Sequence, residues 1–152
     1  MAAPDDVAAL TARLGRPPQA DFDVVVRDVD GAPVVVCNAP FTRDATPMPT
    51  LYWLVDPELN LQVSRLEAAG GVRAAQAAVD PAGVQAAHDA YAAARDARIP
   101  PGHCGPRPSG GVGGTRVGVK CLHAHLAYFL AGGDDPVGRW TVAHLDRTAE
   151  RV

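Results

Sequence analysis

The sequence predicts an α+β domain: a small antiparallel sheet of about three strands packed against a layer of helices. Three observations predict it. The chain has 152 residues, 47% hydrophobic and 20% charged, which is the size and composition of one globular domain able to bury a real core. Short β-branched and aromatic runs fall between residues 22 and 55, and helical apolar spacing dominates the rest of the chain. Strands first and helices afterwards make α+β rather than an alternating α/β fold. No internal repeat or clean linker divides the chain, so residues 1–152 are expected as one domain, with a helix and lead-in over 1–20 and a core over 20–140.

Each element has a local signal. Asp5 to Leu14 reads as a helix, with Pro4 at its start, Asp5 and Asp6 at the positive end of the dipole, and Gly15 and Pro17 as the stop. Phe22–Arg27 and Val34–Cys37 flank an Asp-Gly pair at Asp30-Gly31, which is a hairpin signal. Residues 39–49 form a proline-bearing loop, in which Thr46–Thr50 is a rigid lead into the third strand, Thr50–Val55. Asp56-Pro57 opens a helix with Leu59, Val63 and Leu66 on one face, interrupted at Gly70-Gly71. Val72–Val79 is a short helix, and Asp80-Pro81 caps a long Ala-rich one over Ala82–Arg98. Pro100–Gly114 is a loop too long to be mere connection. Helical pattern resumes over Val117–Leu130, stops at Gly132-Gly133, and returns from Pro136 to about Ala149 with Asp134-Asp135 as its cap. Aromatic residues are only 5% of the chain, so the core is expected from Ala, Val and Leu, with Trp53 and Trp140 packing against it.

Composition excludes some functions. A net charge of -3 argues against capture of nucleic acid or anionic membrane by bulk charge. No apolar run approaches the length of a membrane span, and the opening residues lack a secretory pattern. The cytoplasm is the expected compartment, with Cys37, Cys104 and Cys121 as free thiols. Lys120 is the sole lysine in an arginine-rich set of cations.

Unusual residues concentrate between His103 and His125. A glycine-rich stretch, Ser109-Gly110-Gly111-Val112-Gly113-Gly114-Thr115-Arg116-Val117-Gly118, leads into Lys120-Cys121-Leu122-His123-Ala124-His125. A flexible loop feeding a helix start presents backbone N–H groups and the positive end of a dipole. Gly113, Gly114, Arg116 and Lys120 are therefore candidate ligands for a small anion. The named phosphate motifs do not fit: Gly113 and Gly118 have Walker spacing, but Val119 stands where lysine belongs. Alternatively, the glycines only permit a tight chain crossing.

Cys121 and His125 are four apart and would share a helical face, so with His103 and Cys104 a zinc or iron site is a second candidate, although no standard spacing is met. A third is nucleophilic catalysis by Cys121, its thiol acidified by a helix N-terminus, by Lys120 beside it and by a His within a turn. On the long helix, His88, Tyr91 and Arg95 stand at i, i+3 and i+7. They are either a solvated face or one wall of a cleft in which His88 moves protons while Tyr91 and Arg95 bind an anionic ligand.

Gly31-Ala32-Pro33-Val34-Val35, Pro47-Met48-Pro49-Thr50-Leu51-Tyr52-Trp53-Leu54, His88 with Tyr91 and Arg95, the glycine stretch 109–114, Val119–His125 and Gly132–Gly138 together resemble the actinobacterial domain of unknown function 501 over about residues 20–140. The resemblance implies no activity that can be carried over. Genes of that family commonly neighbour those for enolase, a septum-formation initiator and an exopolyphosphatase-like protein, which implies a place in growth, division or polyphosphate metabolism. Many relatives carry cysteines where this chain has Asp28 to Asp30 and Asp56. A family metal or redox site built on them would be altered here. The leading expectation is a phosphate-like ligand at the glycine loop, with His88, His123 or Cys121 as candidates for catalysis. The alternatives are a non-enzymatic interaction or regulatory protein linked to cell division or growth, with a protein partner, and a Cys/His metal-binding protein.

Overall fold

The computed structural model describes residues 2–145. Helix α1 is Pro4–Leu14, closed by Gly15 in the left-handed conformation. Strands β1 (Phe22–Arg27), β2 (Pro33–Asn38) and β3 (Tyr52–Leu54) form an antiparallel sheet in the order β1-β2-β3. Helices α2 (Pro57–Ala68), α3 (Gly71–Ala78), α4 (Pro81–Asp96), α5 (Leu122–Leu130) and α6 (Pro136–His144) complete the order. The α+β expectation is met. The part of the expected last helix beyond residue 145 lies outside the described residues.

The hairpin forms at the Asp-Gly pair. Asp28 Oδ1 accepts from the amides of Asp30 and Ala32, each at 2.9 Å. Phe22 faces Asn38 and Val24 faces Val36, with an irregularity in the ladder at Val25. The third strand is shorter than the apolar run suggests: Tyr52 to Leu54 pair in register with β2, and single hydrogen bonds from Asn38 to Leu51 and from Val55 to Val34 close the ladder at its two ends. Asp56 and Asp80 cap α2 and α4 by accepting from Leu59 and Ala82, as acidic residues just before Pro-led helices should.

β2 is buried along its whole length, so helices cover both faces of the sheet. On one side Val36 packs with Leu10 of α1, Phe22 and Val55. On the other, Cys37 and Leu51 meet Ala87 and Tyr91 of α4 and Ala124 and Tyr128 of α5. Each fully buried valine contributes about 1.5–3 kcal/mol relative to exposure. α5 runs through the centre, packed on β3, α2 and α6. It meets α6 at Gly138, where a Cβ would lie 2.4 Å from Phe129 Cβ and 2.5 Å from the His125 carbonyl oxygen.

The chain's three tyrosines sit together here: Tyr52 stacks on Tyr128, and Tyr91 meets both edge-on. Burial pushes all three phenols up, Tyr91 to about 12 from an ordinary value of 10.0. A raised phenol pKa stabilises the fold fully below the unfolded value and loses that contribution as pH rises from about 10 towards 12. In an alkaline titration, tyrosinate absorbance is therefore expected to lag behind free tyrosine and to rise together with unfolding. A normal, reversible titration of all three near pH 10 would contradict this packing.

Candidate functional site

The functional candidates on α4 do share one side of the helix, but that side is not solvated. His88, Tyr91 and Arg95 are 2%, 0% and 1% exposed. All three bond backbone groups, and Arg95 bonds one side chain as well. The Tyr91 hydroxyl accepts from the amides of Leu51 (2.7 Å) and Tyr52 (3.2 Å), tying α4 to β3. The Arg95 guanidinium donates to the carbonyls of Gly110 (2.8 Å), Pro49 (3.2 Å), Ser109 (3.3 Å) and Pro108 (3.4 Å), and its Nε to Asp96 at 2.9 Å. His88 Nδ1 accepts from the Val112 amide at 3.0 Å, so the ring proton is on Nε2, which donates to Gly118 at 2.8 Å. Both ring nitrogens are committed to the glycine loop, which removes His88 from proton transfer in this arrangement.

That loop lies directly on α4, with a short 3₁₀ turn at Val112–Gly114. A Cβ on Gly111 would sit 2.6 Å from His88 Cβ and Nδ1. Gly110 has φ +79°, and a Cβ there would meet the Gly114 carbonyl oxygen at 2.7 Å. Close crossing demands glycine at both places. The expected set of exposed amides is partly spent: Gly111 donates to Thr115, Gly114 to Gly111, and Val112 to His88. Beside the crossing is an open cleft of about 410 Å³, with Asp89, Arg95, Asp96, Gly110 and Arg116 in its walls. Asp96 is paired with Arg95, and Asp89 accepts from Gln85 at 3.1 Å. Arg116 is exposed and makes no hydrogen bond or ion pair among the described residues. Lys120, Cys121, Gly113 and Gly114 do not line this cleft.

The helix after the loop starts at Leu122, five residues later than its apolar pattern suggests. Gly118 takes φ +69°, and the Val119 amide donates to Gln76 Oε1 of α3 at 2.9 Å, so the chain is held away from helical geometry. Arg116 and Lys120 are consequently loop residues. Cys121 is the extended N-cap residue, which removes the helical-face pairing expected with His125. Burial pushes its thiol up and Glu67 adds to the rise, although the amides of Ala124 and His123 and the charge of Lys120 pull it down. The acidified thiol expected from the sequence is thus reversed: desolvation outweighs the helix start.

His123 faces α2. Its Nδ1 lies against Glu67 Oε1, and its Nε2 is 3.3 Å from both Ser64 Oγ and the Asn60 carbonyl oxygen. Ser, His and Glu in this order carry the elements of a nucleophilic triad. The Glu67 carboxylate and the Asn60 carbonyl can only accept, whereas the Ser64 hydroxyl can donate or accept, so the tautomer of His123 decides whether Nε2 serves Asn60 or accepts from Ser64. The cluster braces α2 against α5. His125 lies behind His88 with ring centroids 5.7 Å apart, and its Nδ1 is 2.6 Å from Asp135 Oδ2, both side chains fully buried. Asp135 Oδ1 also accepts from Val137 and Gly138 at the start of α6.

The family model described as "Protein of unknown function (DUF501)" matches residues 24–143. The chain belongs to the DUF501 family. No curated protein and no solved structure matches it. In this DUF501 chain the four metal candidates do not come together. His103 packs at a tilt against Phe41 and contacts Pro106 in the loop, Cys104 is exposed there, Cys121 stands at the N-cap position of α5, and His125 is paired with Asp135. Among the described residues no three His, Cys, Asp or Glu side chains are grouped as a metal centre needs. Asp28 and Asp56, where the resemblance leads one to look for cysteines, have local work as turn and helix caps. No helix among the described residues is long and apolar enough to cross a membrane.

Sequence reasoning missed the partners rather than the histidines. Asn60, Ser64 and Glu67 stand at i, i+4 and i+7 on α2, a spacing that alone could have marked one polar face. Asp135 is legible as a cap, which it is, but its second oxygen was available for His125.

Proposed function

We propose that this DUF501 protein binds a small phosphate-like anion in the cleft between α4 and the glycine loop. The observation that carries the reading is the unpaired guanidinium of Arg116 at the rim of a cleft that has the buried Arg95 in its wall. Asp96 is paired with Arg95, and Asp89 accepts from the neutral Gln85 amide and keeps its charge, so the walls hold two carboxylates and two guanidiniums, of which Arg116 is the one with no ion-pair partner among the described residues. Gly110 and Gly111 keep the wall low enough for a ligand to reach it. Lys120 plays no part in this version of the site.

Any ligand that binds only the native state raises its stability, by about 2.7 kcal/mol at a hundredfold excess over Kd. Inorganic phosphate is expected to raise the melting temperature above that in chloride at equal ionic strength. Arg116→Ala should abolish the increment, and Lys120→Ala should leave it intact. Equal phosphate shifts in wild type and Arg116→Ala would overturn the reading. A docking surface for a protein partner is the second reading, favoured by Val117, 77% exposed beside Arg116. One apolar side chain falls short of a contiguous patch, so the ligand reading is the stronger.

A further inference from the structure

A second cleft, of about 490 Å³, lies at the opposite end of β3, where the end of α1 meets β3 and the start of α2. Its apolar wall is built from Leu14, Trp53, Leu54, Val55 and Pro57. Its polar members are Arg13, Arg16 and Asn60, and no acidic side chain lines it. In a chain of net charge -3, a hollow with two guanidiniums and no carboxylate is a local reversal of sign. Asp56, next to it in sequence, is turned away to cap α2.

The polar groups retain unused capacity. Arg13 uses Nη1 on the carbonyls of Pro33 and Val55, while its Nε and Nη2 have no acceptor among the described residues. Arg16 is exposed and has no partner among them. Asn60 donates its amide hydrogens to the carbonyls of Leu54 and Asp56, which fixes Oδ1 as an acceptor with no partner within the described chain. Trp53 is half-buried and packed against Leu10, Phe22, Val36 and Val55, so the ring is held rigidly. Small-molecule sites have this make-up: a mainly apolar hollow of several hundred Å³ with a few convergent polar groups.

We propose that this cleft binds a small aromatic carboxylate, its ring against Trp53 and its charge on Arg16 and the free N–H groups of Arg13. The ring removes apolar surface from water and gains the edge or stacking contacts that aromatics prefer. The carboxylate meets guanidinium donors that suit it in shape as well as charge. A bare anion gives up the ring contact, and a neutral aromatic gives up the ion pair. Both are therefore poor ligands here.

The probe is 1-naphthoate, titrated calorimetrically into the full chain, with 1-naphthamide and acetate as controls. One equivalent of naphthoate is expected to bind. Naphthamide should bind about tenfold or more weakly, the equivalent of about 1.4 kcal/mol, and acetate should give no detectable heat. Arg16 is exposed, so Arg16→Glu should fold normally and abolish binding. Arg116→Ala should leave binding unchanged, which separates this site from the phosphate cleft. The proposal is overturned if naphthoate does not bind, if it binds Arg16→Glu as well as wild type, if the amide equals the acid, or if the signal is lost in Arg116→Ala instead.

Discussion

Arg95→Ala is expected to cost about 3–5 kcal/mol, the usual penalty for removing one member of a buried, hydrogen-bonded charge set. The side chain is 1% exposed and satisfies carbonyls of Pro49, Pro108, Ser109 and Gly110. Their donors vanish together with the guanidinium, and the loop loses the side chain that ties it to α4 beside the cleft. Against a typical total of about 5–15 kcal/mol, this is a fifth or more of the stability, and the melting temperature should drop by about 6 °C or more. Arg95→Lys should recover little, because an ammonium is a point charge and cannot span carbonyls arranged for a planar fork. Limited proteolysis should shift to residues 105–118 in both variants, since local opening governs cleavage there. A loss below about 1 kcal/mol would mean that the glycine loop holds itself and that Arg95 is not its clamp.

Asp135→Ala is expected to have a comparable effect at the other end of α5. One buried carboxylate serves the Val137 and Gly138 amides with Oδ1 and His125 Nδ1 with Oδ2. Alanine strands two amides and a ring N–H in a region with no solvent access, again about 3–5 kcal/mol by the measure of broken buried pairs. Asp135→Asn retains the Oδ1 cap, and His125 can take the alternative tautomer to accept from the new amide, so its cost should be smaller, about 1–2 kcal/mol. Denaturant midpoints of the two variants check this ordering. If Asn proves as costly as Ala, charge on the carboxylate matters more than the cap; if neither variant is destabilised, the pair is not a structural tie.

Much of the fold was legible because its signals are local. Asp30-Gly31 between valine runs needs only the turn preferences of four residues to make a hairpin. Asp56-Pro57, Asp80-Pro81 and Asp135-Pro136 mark three helix starts through side chains that bond amides two or three residues away. The alignment of His88, Tyr91 and Arg95 comes from helical periodicity alone. The start of α5 was not legible in the same way. Val117 to Leu130 keeps a helical apolar pattern, but Val119 bonds to Gln76, forty-three residues earlier in the chain, and this contact decides where helix begins.

The candidate site divides along the same line. Residue spacing determined that a glycine loop and a polar stripe on a helix would exist. Whether the stripe met water, a ligand or the loop depended on what packed over α4, and there the carbonyls of a distant loop took the donors. Local backbone preference is carried by neighbours in sequence, whereas burial, and with it the direction of the Cys121 and tyrosine pKa shifts, is set by elements brought together only on folding.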